Sequence, residues 1–167
     1  MTTTGSTTDD DTIELRLTRV LPATPEEVFD AYTDAEKQRI WFSILDTTPG
    51  IVEIEVDLRV GGTQTAVWGP DRDTLFRETQ TFLVIDRPAE GHSGRLVTES
   101  SGSGPWAPGH PDGLTMTTHV EVTFEAVEGG TLMTVVQSGF PDVEVRDFFG
   151  SMAWIGAFDR IEAFLTR

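Results

Sequence analysis

Three histidines, no cysteine and a large excess of carboxylates bound the chemistry open to this chain. Without cysteine there is no thiolate nucleophile, no disulfide framework and no sulfur-ligated metal. A metal site built from imidazole and carboxylate has one local candidate, His119 with Glu121 at i, i+2 on one strand face, and a solvated face accounts for that pair without a metal. His92 and His110 fall in glycine-rich stretches. No Gly-x-Ser-x-Gly elbow places a serine nucleophile, and Gly61-Gly62 lacks the strand-to-helix context of a phosphate cradle, so it reads as a tight hairpin turn. Neither metal nor cofactor is therefore expected, and no catalytic residue is identified. Acid–base chemistry would fall to Arg77, Glu78 or Asp57, and only if one of them points into a cavity with a shifted pKa.

The elements that must position such groups are legible as periodicities. Residues Val143 to Arg167 carry the longest amphipathic pattern, with Trp154, Phe158, Ile161 and Leu165 at spacings that place them on one buried stripe of a helix. A helix of about 24 residues would be ~36 Å long, enough to cross a small domain. Its first half is apolar over a wider arc, through Phe148, Phe149, Met152 and Ile155, more than one sheet contact requires. Upstream, Ile13, Leu15 and Leu17 alternate with polar residues as a first strand. Thr24 before Pro25-Glu-Glu27, and then Thr33-Asp34-Ala35-Glu36, signal two short helices. Strand patterns follow from Ile51 through Ser138, broken by turns at Gly61-Gly62, Gly69-Pro-Asp71 and Glu128-Gly-Gly130. Ser101 to Gly113 collects glycine and proline and predicts a long loop holding Trp106.

Composition narrows the partners. Asp and Glu outnumber Lys and Arg by 28 to 12, a net charge of −16 that repels nucleic acid and anionic membrane surfaces. At 167 residues one domain is expected, residues 12–167, after a disordered Thr-rich and acidic tail over residues 1–11. The first residues lack the basic and apolar regions of a signal peptide, and no apolar run reaches membrane-spanning length. A cytoplasmic protein without membrane insertion is the expectation.

The order of one strand, two helices, six strands and a long helix resembles the α+β helix-grip fold of the START-like or SRPBCC superfamily. Pro25-Glu-Glu-Val-Phe29 with Tyr32-Thr-Asp34, the pair Trp41-Phe42, Asp57-Leu-Arg-Val-Gly-Gly62, Gly130-Thr131 with Gly139-Phe140, and the Trp154 helix carry the likeness. They are similar to the branch named after the activator of a heat-shock chaperone ATPase. Ala153 departs from the glycine usual before the tryptophan of the last helix.

The resemblance implies a curved antiparallel sheet of six or seven strands wrapped around the C-terminal helix and enclosing an apolar cavity. Residues placed around such a cavity by parity and helix face are Trp68, Met116, Met133, Phe148, Met152 and Ile155, with Trp41 and Trp106 near an opening and Tyr32, Gln64 and Gln137 as polar groups that would orient a ligand. Three functions follow as expectations: a binder of a small hydrophobic or aromatic molecule such as a lipid or polyketide, a cyclase or hydratase using cavity residues as acid and base, and a chaperone ATPase regulator. The first is preferred, the partner being the small molecule, with a homodimer left open.

Overall fold

The computed structural model describes residues 12–46 and 50–167. The expected tail at residues 1–11 lies outside the described residues. Strand β1 (Glu14–Leu21) is followed by helices α1 (Pro25–Thr33) and α2 (Ala35–Ser43). Strands β2 (Ile51–Val56), β3 (Thr63–Gly69), β4 (Phe76–Asp86), β5 (Gly94–Gly104), β6 (Leu114–Val127) and β7 (Gly130–Ser138) complete one sheet. The chain closes with α3 (Val143–Phe148), a π-helical segment (Phe149–Ala153) and α4 (Trp154–Leu165).

The seven strands are ordered β1-β7-β6-β5-β4-β3-β2 and every pair is antiparallel. Five of the six pairings join strands consecutive in sequence, whereas β1 closes the sheet against β7 from the far end of the sequence. Both short helices start as their residues dictate. Thr24 and Glu27 form a reciprocal capping box ahead of Pro25, and the Asp34 carboxylate accepts the Lys37 amide to start α2. Gly61 turns the β2–β3 hairpin at φ 84°, and a Cβ on neighbouring Gly62 would collide with the Asp57 carbonyl.

One end of the concave sheet face is dry. Leu21, Val28, Phe29, Phe82, Leu96, Val122, Phe124, Met133, Phe158 and Ile161 pack there. Phe158 and Ile161 of the expected helix stripe are fully buried, but the stripe continues to Phe164 rather than Leu165, and Trp154 is only half-buried. A second cluster of Ala107, Phe140 and Val145 closes the opposite end against Ile13, Leu15, Met116 and Phe149.

Two expectations need correction. The 101–113 loop is shorter than its composition suggests, because Ser101, Gly102 and Ser103 pair with Thr117, Met116 and Thr115 and carry β5 through to Gly104. Ladder hydrogen bonds are made by backbone, and two long neighbouring strands override a weak local propensity. The remaining connection, residues 105–113, holds Trp106 as expected. The C-terminal helix is likewise not uniform, since its middle is the π-helical stretch, a local widening that shifts the phase of the side chains beyond it.

Candidate functional site

Between the sheet, α2 and the C-terminal helix lies a cavity of about 570 Å³. The register of the sheet aligns a polar row beneath it, of which Gln64 and Gln80 line the cavity. Gln64, Gln80, Ser100 and Thr118 face one another directly across β3, β4, β5 and β6, so single inward positions on four strands align as one polar row. All four are buried. Beyond the row, Glu78 projects from β4 between Ala66 and Gly102, neither large enough to cover it. Burying polar groups without partners would be prohibitive, and here each has one.

Gln38 on α2 and Gln64 exchange two amide hydrogen bonds of 3.1 Å. The Gln80 carbonyl accepts from Thr98 Oγ1 at 2.7 Å while its amide donates to Glu78 Oε1 at 3.2 Å, and Ser100 Oγ donates to Glu78 Oε2 at 2.8 Å. On the last strand Gln137 donates to Thr118 Oγ1 at 2.9 Å and accepts the Trp154 indole at 2.8 Å. Burial pushes the Glu78 carboxyl above its usual range, against the opposing pull of its Ser100 and Gln80 hydrogen bonds. Tyr32 shares the cavity, and burial followed by the Glu78 charge pushes its phenol upward too.

The walls are aromatic. Trp41, Phe42, Trp68, Phe76, Trp106, Phe148 and Phe149 form an unbroken run of ring contacts from α2 around the rim to the last helix, with centroid spacings between 4.7 and 6.4 Å. Trp41 is held by its indole donating to the Ala31 carbonyl at 2.8 Å, which also ties α2 to α1. The Arg160 guanidinium secures α4 to the end of α2 through the Phe42 carbonyl and Asp46. On the helix side the cavity is bounded by Phe149, Met152, Ala153, Trp154, Gly156 and Ala157.

The structure brings Tyr32, Trp41, Gln64, Trp68, Gln137 and Met152 around this one cavity. Met152 sits at its rim, 61% exposed, and not deep in the wall. The other four expected lining residues are elsewhere. Met133 is wholly buried in the dry core and Ile155 packs against that core. Met116 belongs to the second cluster, and Phe148 meets Trp106 edge to face in the outer rim. Sharing a strand face with lining residues was not enough, because the dry core occupies half of that face, and the π-helical segment rotates Ile155 away from the direction that an uninterrupted helix would give it.

Gln38, Gln80, Gly156 and Ala157 also line the site and were not anticipated there, whereas Glu78 was expected only conditionally, as an acid or base, and Phe149 only as part of the wide apolar arc of the last helix. Three lining residues had a signal in the sequence: Glu78 and Gln80 share inward parity with Phe76 and Phe82, and Gly156 interrupts a good helical pattern. Of the other ionisable candidates, Arg77 is exposed on the opposite face and Asp57 is an exposed turn residue paired with Arg59 at 2.8 Å. His119 is exposed on the convex face, where neighbouring Glu121 pairs with Arg95 at 2.7 Å. His92 and His110 each contact one aspartate, Asp86 and Asp142, at 2.8 Å.

Among the described residues no helix is long and apolar enough to cross a membrane. Solved structures share the fold over nearly the whole chain. A putative uncharacterized protein from Rhizobium leguminosarum aligns with a TM-score of 0.72 at 24% identity, covering 93% of this chain and 95% of that one. Protein CV1439 from Chromobacterium violaceum aligns at 0.66 and 20% identity, covering 90% and 96%. Protein Ms6760 from Mycobacterium smegmatis aligns at 0.65 and 20%, covering 93% and 91%. No curated protein matches the chain. A family model described as Activator of Hsp90 ATPase homolog 1-like protein matches residues 22–166, which run from the first helix to the end of α4. With the helix-grip architecture of a ligand-binding domain and that match across most of its length, the chain belongs to the Activator of Hsp90 ATPase homolog 1-like family.

Proposed function

We propose that the protein binds a small, largely apolar or aromatic molecule in the cavity between its sheet and C-terminal helix. The observation that carries this reading is Gly156. It lies within α4, faces the cavity, and a Cβ built on it would meet no atom within 4 Å. Glycine inside a helix costs about 1 kcal/mol relative to alanine, and no close packing here requires it. Its effect is to keep the cavity wall open. A volume of about 570 Å³ falls in the range of small-molecule pockets, and aromatic walls with a few fixed polar groups are what such pockets use.

Trp41, Trp68 and Trp154 line the cavity, so a bound compound should quench tryptophan fluorescence saturably. Gly156→Leu should fill the space without a backbone clash, raise helix propensity and abolish quenching in a folded protein. Undiminished binding by folded G156L would place the site elsewhere, and silence across a panel of lipids, polyketide-like aromatics and fatty acids would leave the cavity without a ligand role.

A second reading, a cyclase or hydratase, draws support from Glu78, a cavity carboxyl held toward its protonated form beside the Tyr32 phenol. Product analysis by mass spectrometry after incubation with the bound compounds tests it. Conversion that disappears in Glu78→Gln supports the reading, and unchanged compounds reject it. Regulation of a chaperone ATPase is supported only by the family's description.

A further inference from the structure

Glu78 has a feature that a purely apolar ligand would not use. Its two oxygens receive one hydrogen bond each, from Gln80 and Ser100, whereas an ionised carboxylate offers about four acceptor directions. Ala66 and Gly102, its cross-strand neighbours, leave the remaining directions uncovered toward the cavity. No lysine or arginine among the described residues pairs with it. The other titratable groups lining the cavity are Tyr32, Asp46 and Arg160. The one cation in that group, Arg160, is already engaged by Asp46 at 2.7 Å and by the Phe42 carbonyl. The cavity therefore presents a carboxyl without a cationic partner and no free positive charge.

The same cavity is lined by Trp41, Phe42, Trp68 and Trp154, and the face of an aromatic ring attracts a cation, an effect that grows where water is excluded. The net charge of −16 adds a long-range field that draws cations and repels anions. A fatty acid or other anionic amphiphile would carry its carboxylate against Glu78. A neutral hydrocarbon would bring no donor to the open acceptor directions of Glu78. A body of rings or chain bearing one basic nitrogen satisfies both halves of the site.

We infer that the cavity selects an amphiphilic amine, its apolar body against the aromatic walls and its ammonium group on Glu78. The inference rests on the ligand-binding reading and names the ligand class. Binding transfers no covalent bond: the ammonium keeps its proton, and a Glu78 carboxyl that is protonated beforehand gives its proton to solvent.

Calorimetric titration at neutral pH and physiological salt should use matched pairs differing only in headgroup: 1-naphthylmethylamine with 1-naphthylmethanol, 9-anthracenylmethylamine with 9-anthracenylmethanol, and decylamine with decanol. In the wild type at least one amine should bind ten-fold or more tightly than its alcohol. Glu78→Gln keeps a carbonyl oxygen to accept from Gln80 and turns its NH2 toward the Ser100 hydroxyl, which can accept, and it should reduce that preference to within two-fold. G156L should lose both amine and alcohol. Equal affinities within every pair, a preference that survives E78Q, or amine binding that survives G156L would each overturn the inference and leave the binding reading standing on the alcohols. Binding by no member of any pair would overturn both. The wild-type ratio decides the matter even if E78Q fails to fold.

Discussion

The Gln38–Gln64 amide pair gives the sharpest check on how the polar floor is held together. Both side chains are buried, and they are joined by two 3.1 Å hydrogen bonds between α2 and β3. Each bond contributes a net of about 1 kcal/mol, whereas a buried donor or acceptor left alone costs about 1–3 kcal/mol. The two residues differ in access, since Gln64 is 8% exposed and Gln38 only 1%. Replacing Gln38 by leucine orphans Gln64, which cavity water can reach, and should cost about 1–2 kcal/mol, close to the lost bonds alone. Replacing Gln64 by leucine orphans the more deeply buried Gln38, and its unpaired donor and acceptor should raise the loss to about 3–4 kcal/mol. The double leucine variant leaves no orphan and should lie within about 1 kcal/mol of wild type, giving strongly non-additive coupling. Urea unfolding of the four proteins, followed by circular dichroism at a common m-value, measures all three differences. Equal and additive losses from the two single variants would show that water satisfies both amides and that the pair does not hold α2 to the sheet.

The remaining predictions follow from burial and charge. Glu78→Gln should stabilise the ligand-free protein by about 1 kcal/mol at pH 8, as removal of a functional-site liability commonly does. The Glu78 carboxyl sits above its ordinary value of 4.5 when folded, so its cost is absent below that pH and grows as pH rises toward the folded value; the Tm gap between E78Q and wild type should therefore vanish near pH 4.5 and widen above it. A gap that is constant with pH would refute this. Asp142 has the opposite sign: the His110 hydrogen bond, followed by the Val145 amide, holds its carboxyl below 3.8, so its stabilisation is present above that pH and is lost as pH falls through the lower folded value. The Tm advantage of wild type over Asp142→Asn should accordingly narrow below pH 3.8, and an advantage independent of pH would dismiss the charge as its source. Gly156→Ala should stabilise by about 1 kcal/mol in thermal unfolding, because its Cβ meets open space, and a loss would show hidden packing at that turn. Phe158→Ala, at a fully buried ring, should cost about 3–5 kcal/mol in denaturant unfolding, more than Trp154→Ala, whose indole borders the cavity, and the reverse order would contradict the placement of the dry core.

Local chemistry made much of the architecture readable. Thr24 ahead of Pro25 and Asp34 ahead of Ala35 start helices through their own side chains, and glycine at 61 and 62 turns the chain because other residues would be strained or blocked there. Alternation along β1, β2, β6 and β7 marked which residues point inward, and the spacing of Trp154, Phe158 and Ile161 marked the helix that covers them. Parity states a side of the sheet but not a position along it. Met133 and Gln137 lie on the same face of β7, four residues apart, yet one is sealed in the dry core and the other holds the Trp154 indole at the cavity.

What only the tertiary structure decided is the polar row. Gln64, Gln80, Ser100 and Thr118 are scattered over 55 residues of sequence and become neighbours solely through the register of three strand pairs. A slip of two residues in any pair would keep every hydrophobic side chain inward and still dismantle the row. The setting of Glu78 is similar: it lies in a cavity that β4 shares with α2 and the last helix, and the lack of a free cation in that cavity depends on Arg160 being taken up by Asp46, 114 residues away in the chain. Register and closure are set by the summed packing of the domain, and no short stretch of residues encodes that sum.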